Sequence, residues 1–136
     1  MKFDLSVRSS TRSEFVDITE EVMACVRRSQ VNSGICVVYV PHTTAGLTIN
    51  ENYDSSVKVD LLAALDRLVP LQDNYRHAEG NSAAHIKASL MGCSHTLPVS
   101  NGHLALGTWQ GIFLAEFDGP RQREVIVTVL ADAGQA

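Results

Sequence analysis

Trp109-Gln110-Gly111-Ile112-Phe113-Leu114-Ala115-Glu116-Phe117 carries the clearest period-two pattern in the chain. Successive side chains of a strand point to opposite faces. Trp109, Gly111, Phe113, Ala115 and Phe117 therefore share one face, and Gln110, Ile112, Leu114 and Glu116 the other, which is polar at both ends of an apolar middle. Trp109 is expected in the core, and Gln110 at a pocket or an oligomer contact. Working outward, Asp118-Gly119-Pro120-Arg121 reads as a turn and Glu124 to Leu130 as a closing strand. Upstream, Ser100-Asn101-Gly102 supplies the Asn-Gly signal of a tight hairpin between strands at 95–99 and 103–107.

Towards the front of the chain, Phe3, Leu5 and Val7 alternate with polar residues, and a short strand is expected at 14–18. Asp17 and Glu20 resemble a capping box, after which Ile18, Val22, Cys25 and Val26 recur at helical spacing as far as Ser29 or Gln30. Ile35 to Val40 is apolar throughout, which predicts a central strand covered on both faces and broken by Pro41. Another strand is expected at Leu47 to Asn50. Asp54 or Ser55 then caps a helix with Val57, Leu61, Leu65 and Leu68 along one face, and Pro70 ends it. Asn81 or Ser82 caps a further helix that Gly92 stops. Helices interleaved with β-rich stretches predict an α+β protein with helices on one sheet face, in one domain spanning 1–136.

The 136 residues include 11 Lys and Arg against 15 Asp and Glu, a net charge of −4, which argues against nucleic acid or an anionic membrane as the main partner. No apolar run is long enough to span a bilayer, and the first residues alternate like a strand where a signal peptide would have an apolar core, so a cytoplasmic location is expected. Cys25, Cys36 and Cys93 form no C-x-x-C pair, which indicates neither a disulfide framework nor a cysteine zinc site.

Chemistry concentrates in Tyr75-Arg76-His77-Ala78-Glu79-Gly80-Asn81-Ser82-Ala83-Ala84-His85 and in His42-Thr43-Thr44-Ala45-Gly46, which follows the strand ending at Pro41. His42, His77 and His85 lie in polar, turn-like surroundings. They are either isolated polar histidines or a three-imidazole metal set with an open position, and imidazole alone does not select among zinc, nickel, copper and iron. Glu79 is a general base, an acceptor orienting a ligating ring, or a solvated loop carboxylate. The helix starting near Ser82 offers free N–H groups and a positive dipole end which, with Ser82, Thr43 and Thr44, suit a phosphate. Lys87 and Arg121 are further phosphate contacts or simply solubilising charges. No G-x-S-x-G, Walker or dinucleotide motif occurs.

The ordered motifs His42-Thr43-Thr44-Ala45, Asn50-Glu51-Asn52, His77 to His85, Leu106-Gly107-Thr108-Trp109-Gln110 and Glu116-Phe117-Asp118-Gly119-Pro120-Arg121 resemble the YjbQ family over nearly the whole chain. The resemblance implies an α+β fold with a mixed, largely antiparallel sheet, homotrimers with sites near subunit boundaries, and His42, His77 and His85 as metal ligands. It also implies secondary thiamine-phosphate synthase activity, a transfer that joins a hydroxymethylpyrimidine diphosphate to a thiazole phosphate. In such a transfer Arg121, the metal and the helix N-terminus would stabilise the leaving pyrophosphate, and Thr43, Thr44, Asn81, Ser82 and Gln110 would bind substrate; Glu79, the other catalytic candidate, has no obligatory proton to remove there and leaves a hydrolase open. The cofactor would be a divalent metal such as zinc, with magnesium for the diphosphate. The alternatives are a metal-assisted hydrolase of a phosphorylated metabolite and a non-enzymatic binding module for an anionic one.

Overall fold

The computed structural model describes residues 1–134. Two antiparallel sheets carry the fold. The larger is built from β1 (Lys2–Arg8), β3 (Gly34–Tyr39), β5 (Ser94–Ser100), β6 (His103–Leu104) and β8 (Gln122–Ala131), in the order β1-β8-β3-β5-β6. The smaller places β7 (Gln110–Glu116) between β2 (Glu14–Asp17) and β4 (Ala45–Glu51). Three helices complete the domain: α1 (Thr19–Ser29), α2 (Ser55–Leu68) and α3 (Ser82–Met91).

The alternation along β7 is what joins these layers. Ile112 and Leu114 enter a core shared with Val38, Val127, Leu47 and the Val22 and Val26 face of α1. Phe113, Ala115 and Phe117 enter a second core with Phe15, Leu65 of α2, and Ala84 and Ala88 of α3. The Phe15 ring meets Phe113 and Phe117 edge to face, with centroids 6.3 and 6.4 Å apart. That is the arrangement the aromatic quadrupole favours. Each fully buried phenylalanine contributes about 1.5–3 kcal/mol of apolar burial. Helices thus serve both cores, α1 the first and α2 with α3 the second, instead of lying on one face of one sheet.

Local signals explain the element ends. Asp54 accepts a hydrogen bond from Ser56 N–H at 2.9 Å and caps α2. Asp17 accepts from Thr19 N–H at 2.9 Å, one residue ahead of the Ile18 N-cap, so it holds the start of α1 without forming the expected capping box. Asn101 and Gly102, with φ of 53° and 76°, form the two-residue turn between Ser100 and His103. Two positive φ angles suit the twist of a hairpin. The return strand β6 is only His103–Leu104, shorter than the pattern suggested.

Burial corrects three further expectations. Strand β3 is central, between β8 and β5, but only one of its faces is packed: Cys36 and Val38 are buried while Ile35 and Tyr39 are exposed. Leu68 at the end of α2 is 74% exposed and Trp109 is 56% exposed. Trp109 precedes β7 and packs edge to face on the exposed Tyr53 at 5.5 Å, so the alternation that buries Phe113 does not extend back to it. Among the described residues no helix is long and apolar enough to cross a membrane.

Candidate functional site

Three connections meet at one end of the β4–β7 ladder: 40–44 after β3, 69–81 before α3, and 117–121 after β7. Pro41 ends the β3 ladder, Asn81 starts α3, and the Asp118-Gly119-Pro120-Arg121 turn follows Glu116. Thr43, Thr44, His77, Glu79, Asn81, His85, Asp118 and Arg121 line a cavity of about 270 Å³ between them. Seven of these eight are residues the sequence singled out. The volume lies just below the usual range for drug-sized ligands, which suits a small metabolite.

His77 and His85 sit edge to face with ring centroids 5.3 Å apart. Glu79 Oε1 is 4.0 Å from His77 Nε2. Arg121 is held by its own turn, donating from Nε to the Asp118 carbonyl and from Nη2 to Asp118 Oδ2, both at 2.9 Å. Asn81 Nδ2 donates to the same carboxylate oxygen at 2.9 Å. Asn81 therefore braces α3 against the turn instead of capping its own helix with its side chain. Ala84 N–H and His85 N–H reach back to the Asn81 carbonyl.

His42 faces a neighbouring cavity of about 520 Å³ that it shares with Thr43, His85, Ser89 and Cys93. Its Nε2 accepts from Glu124 N–H at 2.9 Å. Burial, helped by the Arg123 charge, pushes the His42 pKa below the ordinary imidazole value, so the neutral ring that can accept this bond is favoured. Among the described residues no three His, Cys, Asp or Glu side chains are grouped to hold a metal ion. The expected three-histidine set is therefore not assembled: His77 and His85 are brought together, while His42 is tied by Nε2 to the β8 backbone.

Other expectations are redistributed. Ser82 lines a shallow depression with Tyr75, Arg76, His77 and His85, and is absent from the lining of the 270 Å³ cavity. Thr44 Oγ1 accepts from Arg123 Nη2 at 2.8 Å and is buried, which gives it a structural duty as well as a place in the cavity wall. Lys87 is buried beside Asp66, at 2.5 Å, and faces a different cavity. Gln110 opposes Glu51 at the far end of β7, whereas Glu116 opposes Ala45 at the site end. Six residue steps of strand separate them, roughly 20 Å. The Gln110 side chain accepts from Gly107 N–H at 2.8 Å, so within one chain it closes a turn and touches no part of the histidine cavity.

Sequence reasoning assigned no role to the support beneath the site. Glu116 and Arg123 are 0% and 2% exposed, and both carboxylate oxygens of Glu116 accept from the Arg123 guanidinium. Ser9 Oγ donates to Glu116 Oε1 at 2.7 Å and accepts from Arg121 N–H at 2.9 Å. Phe117 and Asp118 N–H donate to Glu116 Oε2. Burial alone would raise the Glu116 pKa, but the bonds from Arg123, Ser9 and Asp118 N–H hold it below the usual carboxylate value. A signal was present: the alternation that groups Glu116 with Ile112 and Leu114 also groups Arg123 with Val125, Val127 and Val129.

The fold and site define an α+β protein with a small polar cavity carrying two histidines and an arginine. The family described as UPF0047 protein YjbQ-like matches residues 3–132, and the chain belongs to that family. It is 53% identical to the UPF0047 protein MJ1081 of Methanocaldococcus jannaschii over 97% of this chain and 96% of that one. It is 47% identical to the UPF0047 protein YugU of Bacillus subtilis over 93% and 96% of the two chains. A crystal structure of an uncharacterised YjbQ/UPF0047 protein from Clostridium acetobutylicum superposes with a TM-score of 0.93 at 52% identity, covering 94% of this chain and 99% of that one. A YbjQ-like protein of unknown function from Sulfolobus solfataricus gives a TM-score of 0.93 at 34% identity, covering 97% of each.

These comparisons overturn the expected thiamine-phosphate synthase activity. The family is defined without a function, the relatives carry no activity in their names, and the solved neighbours are uncharacterised. The family assignment stands, and the transferase reading attached to it does not.

Proposed function

We propose that the cavity bounded by Thr43, His77, Asn81, His85 and Arg121 binds a small phosphorylated metabolite or a comparable anion. The observation that carries this reading is the meeting of the Arg121 guanidinium, Asn81 at the N-cap of α3 and two imidazoles in one cavity. Asp118 carries a negative charge there, but Arg121 and Asn81 occupy its Oδ2, so that charge is balanced locally. Arg121 is clamped by two bonds to Asp118, which orients the guanidinium while leaving Nη1 for a ligand oxygen. The helix dipole adds about half a positive charge at the N-terminus of α3.

The donor types also suit a divalent ion such as zinc, although the three-histidine geometry does not. His77 and His85 would supply two of its ligands, with no third His, Cys, Asp or Glu grouped beside them among the described residues, and such an ion would supply positive charge to a bound phosphate. His42 would stay on Glu124. We further propose that copies of the chain associate as a homotrimer, on the support of the exposed apolar Ile35, Tyr39 and Leu130 on β3 and β8, where Ile35 and Leu130 are register partners.

Isothermal titration of tag-free, metal-analysed protein with inorganic phosphate and with glycerol 3-phosphate tests the main reading. Saturable binding that Arg121→Gln weakens supports it. Binding unchanged by both Arg121→Gln and His85→Ala overturns it.

A further inference from the structure

A second cavity, of about 400 Å³, lies on the other side of Asn81 and Asp118, between the end of α2, the start of α3 and the β1–β2 connection. Its most informative wall residue is Lys87, which is 5% exposed. Its ammonium is 2.5 Å from Asp66 Oδ1 and 5.8 Å from the centre of the Phe117 ring. Withdrawing an ammonium from water costs several kcal/mol unless its partners are good. Asp66 is itself largely exposed and engages one of the three N–H donors. An apolar side chain at this helix position would fill the core at no such cost, so the charge points to something other than packing.

Two more groups in the same wall have unused capacity. The exposed Arg12 lies at the rim, and its guanidinium has no ion-pair or side-chain hydrogen-bond partner among the described residues. Asn81 Oδ1 is buried with no hydrogen-bond partner among the described residues. Phe117, Leu71 and Pro70 supply an apolar remainder. The wall therefore offers unused donors on Lys87 and Arg12, the Asp66 and Asp118 carboxylates already engaged by Lys87 and Arg121, one buried acceptor, and hydrocarbon between them.

We propose that this cavity is a second ligand site, distinct from the histidine cavity, for a small aromatic carboxylate that also bears a hydrogen-bond donor. The carboxylate meets Lys87 with Arg12 at the entrance, the ring lies against Phe117 and Leu71, and the donor satisfies Asn81 Oδ1. The volume is within the range of small-molecule pockets and exceeds what a lone phosphate fills.

The test is an NMR titration of the full chain with 4-hydroxybenzoate. The expected result is saturable shifts centred on Ala83, Ala84 and Phe117, with affinity reduced about tenfold by Lys87→Met, the loss of one charge-assisted contact. Arg12→Gln weakens binding less, His85→Ala leaves it unchanged, and neutral 4-hydroxybenzyl alcohol binds more weakly than the acid. Lys87→Met is read only if its melting curve shows a folded protein; otherwise Arg12→Gln and the neutral probe decide. The proposal is overturned if millimolar 4-hydroxybenzoate gives no saturable shift, if the shifts centre on His77 and His85, or if the neutral probe or inorganic phosphate binds as well as the acid.

Discussion

Arg123 grips both carboxylate oxygens of Glu116 in the interior, joining β8 of one sheet to β7 of the other two residues beyond Arg121. Ser9 ties the same carboxylate to the Arg121 backbone. The cavity thus stands on a buried ion pair whose hydrogen-bonding capacity is nearly filled. Removing one member of such a pair strands the other charge away from water.

Arg123→Met is accordingly expected to destabilise the fold by about 3–5 kcal/mol in denaturant titration. The double variant Arg123→Met, Glu116→Leu is expected to be more stable than the single one, because no unpaired charge then remains. Arg123→Lys does not rescue, since an ammonium cannot reproduce the two-pronged contact with Glu116 and the bond to Thr44. A double variant no more stable than Arg123→Met would refute this account.

The depressed Glu116 pKa gives a signed pH dependence. In the unfolded chain the carboxylate titrates near its ordinary 4.5, and in the folded protein below that. The stabilisation is therefore complete above 4.5 and is lost as the pH falls through the folded value. His42 acts in the same direction at higher pH: its contribution is full above the ordinary 6.5 and declines as the pH falls from there to its lowered folded value. Melting temperature followed across these intervals should fall in two steps on acidification, and His42→Gln should remove the upper one.

Gly46 lets α3 lie close to β4. A Cβ there would come within 2.7 Å of the Gly92 carbonyl oxygen and 3.0 Å of Met91 Cβ. Leu47 N–H also donates to that carbonyl at 2.9 Å. Gly46→Ala is expected to cost about 1–3 kcal/mol and to push the end of α3 outward. Because α3 carries His85, a phosphate titration of the variant should show weakened binding even at temperatures where it remains folded.

Leu130→Glu places a charge on the exposed sheet face beside Ile35. If the parent chain is the proposed trimer, sedimentation equilibrium should show a lower mass for this variant than for the parent, with an unchanged circular dichroism spectrum. A parent chain that sediments as a monomer would remove the trimer proposal.

Much of the fold was legible because its strands obey simple alternation and its helices carry clear stops. Phe113 and Ile112 were assigned to opposite faces from the sequence, and each lies in a different core. Periodicity does not reveal what covers a face, which is why Ile35 and Tyr39 on β3 were expected to be buried and Trp109 to lie inside. In the site, the loops carrying Thr43, His77, Glu79, Asn81 and Arg121 were found because polar side chains cluster beside glycine and strand ends. The engagement of His42 was not legible, because nothing local announces that its Nε2 will accept from Glu124, 82 residues away. The distance of Gln110 from the histidine cavity within one chain was not legible either, because proximity of motifs along the sequence says nothing about which end of a strand each occupies.

With both faces of β7 committed, the molecule has no natural line of cleavage. Melting either core would strip one side of a strand whose opposite side still belongs to the other. Heating should therefore take the chain apart in one cooperative step, and a fragment retaining only half of the layers would expose a bare hydrocarbon ribbon to its neighbours.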